Sequence, residues 1–163
     1  MTTAARMGQL LHKSYFGPAW HGPAVAELLA DVSAAQAVAQ PAVGTHSIWT
    51  LVLHMMAWKD EVRRRLTGPG RKLSPEENWP PIADTSEAAW RQTLERLTAS
   101  QQALEDAIAN LTDEQWAGGA AEDHIDREEL LHVIIHHDLY HAGQIAILKT
   151  QSKKRGIAAP TFL

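Results

Sequence analysis

The sequence predicts an all-α fold, a four-helix bundle whose N-terminal helical segment is broken. Three observations predict it. Several long stretches repeat apolar residues at the three- and four-residue spacing of a helix stripe. Runs of Val, Ile and Thr with strand-like alternation are missing. Proline and glycine mark the breaks between stretches, at Gly17-Pro18, Gly22-Pro23, Gly68-Pro69-Gly70 and Gly118-Gly119. At 163 residues, with 45% hydrophobic and 21% charged residues, the chain suits one domain spanning 1–163 with a sizeable core.

A first short helix is expected from Thr2 to Tyr15, broken near Gly17-Pro18. A second short piece runs from Ala24 to Leu29, with Pro23 suited to a first turn. Pro41 and Gly44 mark the next loop. A long helix follows from about Ser47 to Leu66, preceded by Thr45 or His46, with Arg63, Arg64 and Arg65 complementing the dipole at its end. The four prolines between Thr67 and Ala83 predict a loop, which Trp79 can anchor to the body. The next helix spans about Ser86 to Asn110, with Ala89, Trp90, Leu94, Leu97, Leu104 and Ile108 inward. Thr112 to Asp123 reads as a second loop. Asp126 and Glu129 form a capping-box pattern that opens the last helix, Arg127 to about Lys153. Gly156 and Pro160 end the order. A second apolar strip on this helix, Leu131, Ile135, Leu139, Ala142 and Ala146, makes it either central or the contact surface of a homodimer.

Composition removes several classes of function. The net charge of −4 offers no attraction to nucleic acid or an anionic membrane. The absence of cysteine excludes disulfides, thiolate metal sites and a cysteine nucleophile, so any metal is held by nitrogen and oxygen. Met1 to Gln9 has no apolar signal core, and no apolar run reaches membrane-spanning length, so a cytoplasmic protein is expected.

The nine histidines carry the chemical signal. His137 and His141 are four apart, so both imidazoles leave one side of a helix, and at roughly 100° per residue they project with Leu130, Val133, Ile134, Gln144 and Leu148. Polar rings on a buried stripe need partners, and a metal ion would use both at once. An open catalytic-type site takes three protein ligands. His54, near the Ile48, Leu51, Met55, Trp58 and Val62 side of its helix, best supplies the third. His46 reads as a helix-entrance residue, and His132 with His136 as a second pair on the flank of the last helix. A ligand set that includes His136 stays open, as does closure of the site by His46, His136 or Asp60. The donor types favour zinc, nickel, iron or copper over magnesium and calcium. Core packing accounts for Trp49, Trp58 and Trp90, although Trp58 can also wall a pocket. Gln144 can orient a ligand, and Gly143 suggests close helix approach.

Two segments, His54-Met55-Met56-Ala57-Trp58 in its helical context from His46, and His137-Asp138-Leu139-Tyr140-His141-Ala142-Gly143-Gln144, resemble the DinB/YfiT-like family of DNA-damage-inducible, metal-binding four-helix bundles. The Ala19-Trp20-His21-Gly22-Pro23 segment is similar to a subgroup of that family, and the likeness extends over nearly the whole chain. The resemblance implies a three-histidine site of His54, His137 and His141, with nickel or zinc as its usual occupant. Ala142 stands where the family more often has arginine, which removes a charged contact but no ligand. Relatives of known activity include thiol transferases using bacillithiol- or mycothiol-type thiols and a maleylpyruvate isomerase.

Three classes of function follow. The first is a metal-dependent transferase that activates a small external thiol for attack on a small-molecule electrophile. The second is a metal-dependent hydrolase, since His137-Asp138-x-x-His141 is similar to the zincin His-Glu-x-x-His, with an aspartate one methylene short of the usual base. There Asp138 reads more simply as exposed or as orienting a histidine. The third is a non-catalytic metal-binding or stress-response protein, in which the ion staples helices together or is stored or sensed.

Overall fold

Eight helices follow one another in the computed structural model, which describes residues 2–40, 45–118 and 125–157. They are α1 (Thr3–Phe16), α2 (Val25–Leu29), α3 (Ala34–Val38), α4 (Ile48–Thr67), α5 (Pro75–Asn78), α6 (Glu87–Ala109), α7 (Asp113–Ala117) and α8 (Arg127–Lys154). Among the described residues there is no strand. The expected breaks at Pro41, Gly44, Gly119, Asp123 and Pro160 lie outside the described residues.

The long helices start where a short polar side chain accepts from an N–H three residues on. Thr2 Oγ1 takes the Ala5 N–H, Ser47 Oγ that of Thr50 and Ser86 Oγ that of Ala89, each at 3.2 Å, and Asp126 Oδ1 takes that of Glu129 at 2.8 Å. The α4 cap is therefore Ser47, not Thr45 or His46. Pro23 falls before the cap residue Ala24, outside the first turn that the sequence suggests.

Of three short helices, α5 and α7 occupy stretches expected to be loop, and α3 a stretch to which no element is assigned from the sequence. Each is closed by a reciprocal pair, Ser33 with Gln36, Ser74 with Glu77 and Thr112 with Gln115. The proline count between residues 67 and 83 hides one of them, because Pro75 sits at the first helical position, where its missing N–H costs nothing. Gly17 ends α1 at φ +86°, a left-handed conformation that side chains with a Cβ rarely adopt.

The four long helices pack as a bundle, α4 against α6 and α8, and α1 against α6 and α8. Two apolar clusters fill it. One joins α2, α3 and the first half of α4 to Trp90, Leu97 and Ile145. The other joins Met7 and Leu11 to Val62, Leu66, Leu104, Ile108 and the first turns of α8. A polar layer lies between them. The ammonium of Lys59 donates to Asp138 Oδ2 and to Gln101 Oε1 (2.7 Å), with Lys59 and Asp138 fully buried. The ammonium also stands 5.3 Å from the ring of Tyr15, whose hydroxyl burial pushes up to about 12. Such a pair is costly to desolvate, and its geometry fixes how α4 meets α8.

Helix α8 is central. Leu131, Ile135 and Ala142 are buried within the chain, in clusters that also hold residues of α1 and α2. The second apolar strip is thus an internal surface, not a free face for a second copy. Val133 is a correction in the other direction. It is 49% exposed, because it lies about 130° from the centre of the buried positions at 100° per residue. Gly143 is exposed, and a Cβ there would meet nothing within 4 Å, so no close helix approach depends on it.

Candidate metal centre

Helices α4 and α8 bring three imidazoles together beside the polar layer. His137 Nε2 stands 3.1 Å from His54 Nε2 and 3.1 Å from His141 Nε2. The ring centroids are 5.0, 4.9 and 4.4 Å apart. His54 and His141 are buried and His137 is partly so, lying at the edge of the buried stripe and not at its middle.

Two of the rings have their tautomer set by a second contact. His54 Nδ1–H donates to the carbonyl of Asn78 at 2.8 Å, and His141 Nδ1–H donates to Gln144 Oε1 at 2.7 Å. Those oxygens only accept, so the protons are on Nδ1 and both Nε2 atoms present lone pairs. His137 Nδ1 is buried without a hydrogen-bond partner. Three ring nitrogens thus converge with at least two lone pairs facing inward. One shared proton cannot satisfy all of them, whereas one cation can. At metal–nitrogen bonds of about 2.0–2.1 Å, two imidazoles on one ion are separated by roughly 3.0 Å at a right angle and 3.4 Å at the tetrahedral angle. The observed 3.1 Å falls between those values. The donor set fits a divalent transition ion.

Electrostatics favour the same form. Burial lowers the affinity of His54 and His141 for a proton. His137 is pushed down to about 3, by burial first and then by His141, His54 and Lys59. Neutral imidazole is the form that binds metal.

The support for His54 comes from the loop after α4. Trp79 stacks on its ring at 3.8 Å and 6°, and His46 stacks on the other face of Trp79 at 3.8 Å and 2°. Asn78 accepts from Trp58 Nε1 at 2.8 Å through its side chain while its carbonyl holds His54. The expected anchor Trp79 is therefore a wall of the site as well. His46 is kept from the centre by the thickness of that indole. Asp60 is engaged with Ser100 Oγ at 2.8 Å. His136 is exposed beside His132, their rings 6.0 Å apart. None of these three closes the site, and the grouping found among the described residues is His54, His137 and His141.

Asp138 departs furthest from its sequence reading. It is fully buried and meets Lys59, not a histidine. Burial pushes its carboxyl up, and the ammonium opposes this. With its carboxylate held by Lys59 in the core, it is not available as a zincin-type base. Lys59 was not singled out in the sequence. A lysine between Trp58 and Asp60 looks like an ordinary surface residue, and only its place on the buried side of α4 could have marked it.

The sequence profile of the DinB superfamily matches residues 20–145, a span that contains all three histidines. The chain belongs to the DinB superfamily. No curated protein and no solved structure matches it. Within this DinB chain Ala142 is buried among the apolar residues of the first cluster. Among the described residues, no helix is long and apolar enough to cross a membrane.

Proposed function

We propose that His54, His137 and His141 hold one divalent transition ion, zinc or nickel, and that the protein is a metal-dependent transferase activating a small thiol. The observation that carries this reading is the convergence of three Nε2 atoms with no fourth protein donor among the described residues. A three-ligand site keeps coordination positions for substrate, whereas a structural site is closed by four. When bound, the ion supplies a Lewis acid that lowers the pKa of a thiol or water.

The chain's own residues do the positioning. Asn78 and Gln144 fix the tautomers of two ligands, and Trp79 holds the plane of His54. Tyr140 is 65% exposed with its ring 5.1 Å from that of His141, so its hydroxyl can donate to a bound substrate. The absence of cysteine means that the thiol comes from outside. The hydrolase alternative is weakened, because Asp138 is held by Lys59. A homodimer remains part of the proposal. So do a single domain and a cytoplasmic setting.

The test is turnover of 1-chloro-2,4-dinitrobenzene by metal-loaded protein with a panel of low-molecular-weight thiols. Turnover above the His141→Ala variant supports the transferase. Equal rates for both proteins with every thiol would leave metal binding without this catalysis.

A further inference from the structure

His54 and His141 each have a hydrogen bond that fixes the ring, to Asn78 and to Gln144. Among the described residues His137 has no such support. Its Nδ1 is buried without a partner, and Trp58 meets it only in a tilted ring contact, with centroids 6.1 Å apart. Yet His137 is the middle member of the cluster, its Nε2 standing 3.1 Å from each of the other two. A ring with no polar grip of its own is placed by its backbone, so the position of His137 follows the position of α8 at that turn.

That turn is held one residue further on. Asp138 is fully buried and accepts from the ammonium of Lys59 on α4. The same ammonium donates to Gln101 Oε1 on α6 at 2.7 Å, and the Gln101 amide donates in turn to Glu105 Oε1 at 2.7 Å. The helix that carries His54 and the helix that carries His137 and His141 are thus tied to each other and to a third. Apolar contacts are non-directional and resist a turn of α8 about its own axis weakly. With a ring nitrogen roughly 6 Å from the helix axis, a turn of about 10° moves it about 1 Å. Metal–ligand distances tolerate only about 0.2 Å.

We infer that Lys59 and Asp138 are positioning residues for the metal centre. The pair sets the rotation of α8 against α4 that brings His137 and His141 within reach of an ion held by His54. This rests on the reading that the three histidines hold a metal, and it is independent of the reaction. It also gives the pair a role beyond stability, because a buried ion pair adds little stability over apolar residues of similar volume.

The test compares the native sequence, Lys59→Met/Asp138→Leu and Ile108→Val. Zinc affinity is measured by competition with a chromogenic chelator, and the visible absorption of the cobalt(II)-loaded protein reports coordination geometry. The double variant removes one charge of each sign, so the net charge is unchanged. Ile108, buried in the second apolar cluster, provides a packing loss that leaves the pair intact. All three proteins are expected to keep native circular dichroism. The double variant should bind zinc about 10- to 100-fold more weakly, the loss found when a group that orients a ligand is removed. Its cobalt bands should change in position and intensity, while Ile108→Val matches the native protein in both measurements. Native affinity and spectrum in the double variant would overturn the inference. So would equal weakening in Ile108→Val, or loss of the helical fold in the double variant, since either makes the pair a support of the whole bundle and not of the site. A native protein that takes up neither ion would sink the metal reading itself, a result distinct from native binding left unchanged by the double substitution.

Discussion

Removing either member of the Lys59–Asp138 pair is expected to be far worse than removing both. Each side chain is completely buried, and the ammonium's second bond goes to Gln101. Asp138→Leu leaves an ammonium in the core with only the amide as partner, a situation that costs about 3–5 kcal/mol. Lys59→Met leaves the carboxyl, which can take up a proton and become neutral, so its cost belongs at the lower end of that range. The double variant Lys59→Met/Asp138→Leu removes both charges and fills the space with apolar atoms, and is expected within about 1–2 kcal/mol of the parent. The cycle therefore predicts a coupling of about 3 kcal/mol or more. Lys59→Met adds a pH signature. Without the ammonium, burial dominates at Asp138, opposed only by the smaller influence of His141, and raises its folded pKa above the unfolded value. Stability then falls as pH rises through that raised value, because the folded state holds the proton longer. Urea unfolding of the metal-free proteins at several pH values measures all of this. Additive single costs, or singles costing under about 1 kcal/mol, would refute the view that this buried pair sets how α4 meets α8.

Saturating zinc or nickel should raise the melting temperature. At 100 times the dissociation constant the gain is about 2.7 kcal/mol, or roughly 5–10 °C for a chain of this size, read by differential scanning fluorimetry before and after chelation. Trp79→Ala and Gln144→Ala remove contacts to His54 and His141 without touching a ligand, so each should weaken metal binding about 10- to 100-fold in competition with a chromogenic chelator. His137 is neutral in the folded chain down to about 3, while an unfolded imidazole titrates near 6.5. The unfolded state therefore binds more protons between those values, and the metal-free protein should lose stability as pH falls from 6.5 toward 3, as followed by circular dichroism. Replacing His137 with Leu should flatten that part of the profile.

The long helices were legible because each advertises itself twice, once by apolar spacing and once by a capping residue such as Ser86 or Asp126. The short ones were less so. Pro75 reads as a breaker when counted among four prolines, although Ser74 and Glu77 around it carry the capping signal. His54, His137 and His141 could be singled out because two share a helical face and the third lies near the buried side of another helix. Their convergence is set by how α4 meets α8, which no local pattern encodes. The supports were harder to see for the same reason. Trp79 and Asn78 sit in a loop with no periodicity, and their contact with His54 is made across 24 residues or more. Asp138 and Lys59 each look like solvent-facing charges until the helices are packed. The apparent dimer strip on α8 shows the converse error, since a central helix and an interface helix are apolar on both sides alike.

The central claim is tested most directly by the metal-to-protein ratio of untagged protein, measured by elemental analysis after incubation with zinc or nickel and removal of excess ion. The account predicts one tightly held ion per chain, retained in His132→Ala/His136→Ala and lost in His137→Ala. An ion that stays in His137→Ala, or a native protein that takes up none, would contradict it.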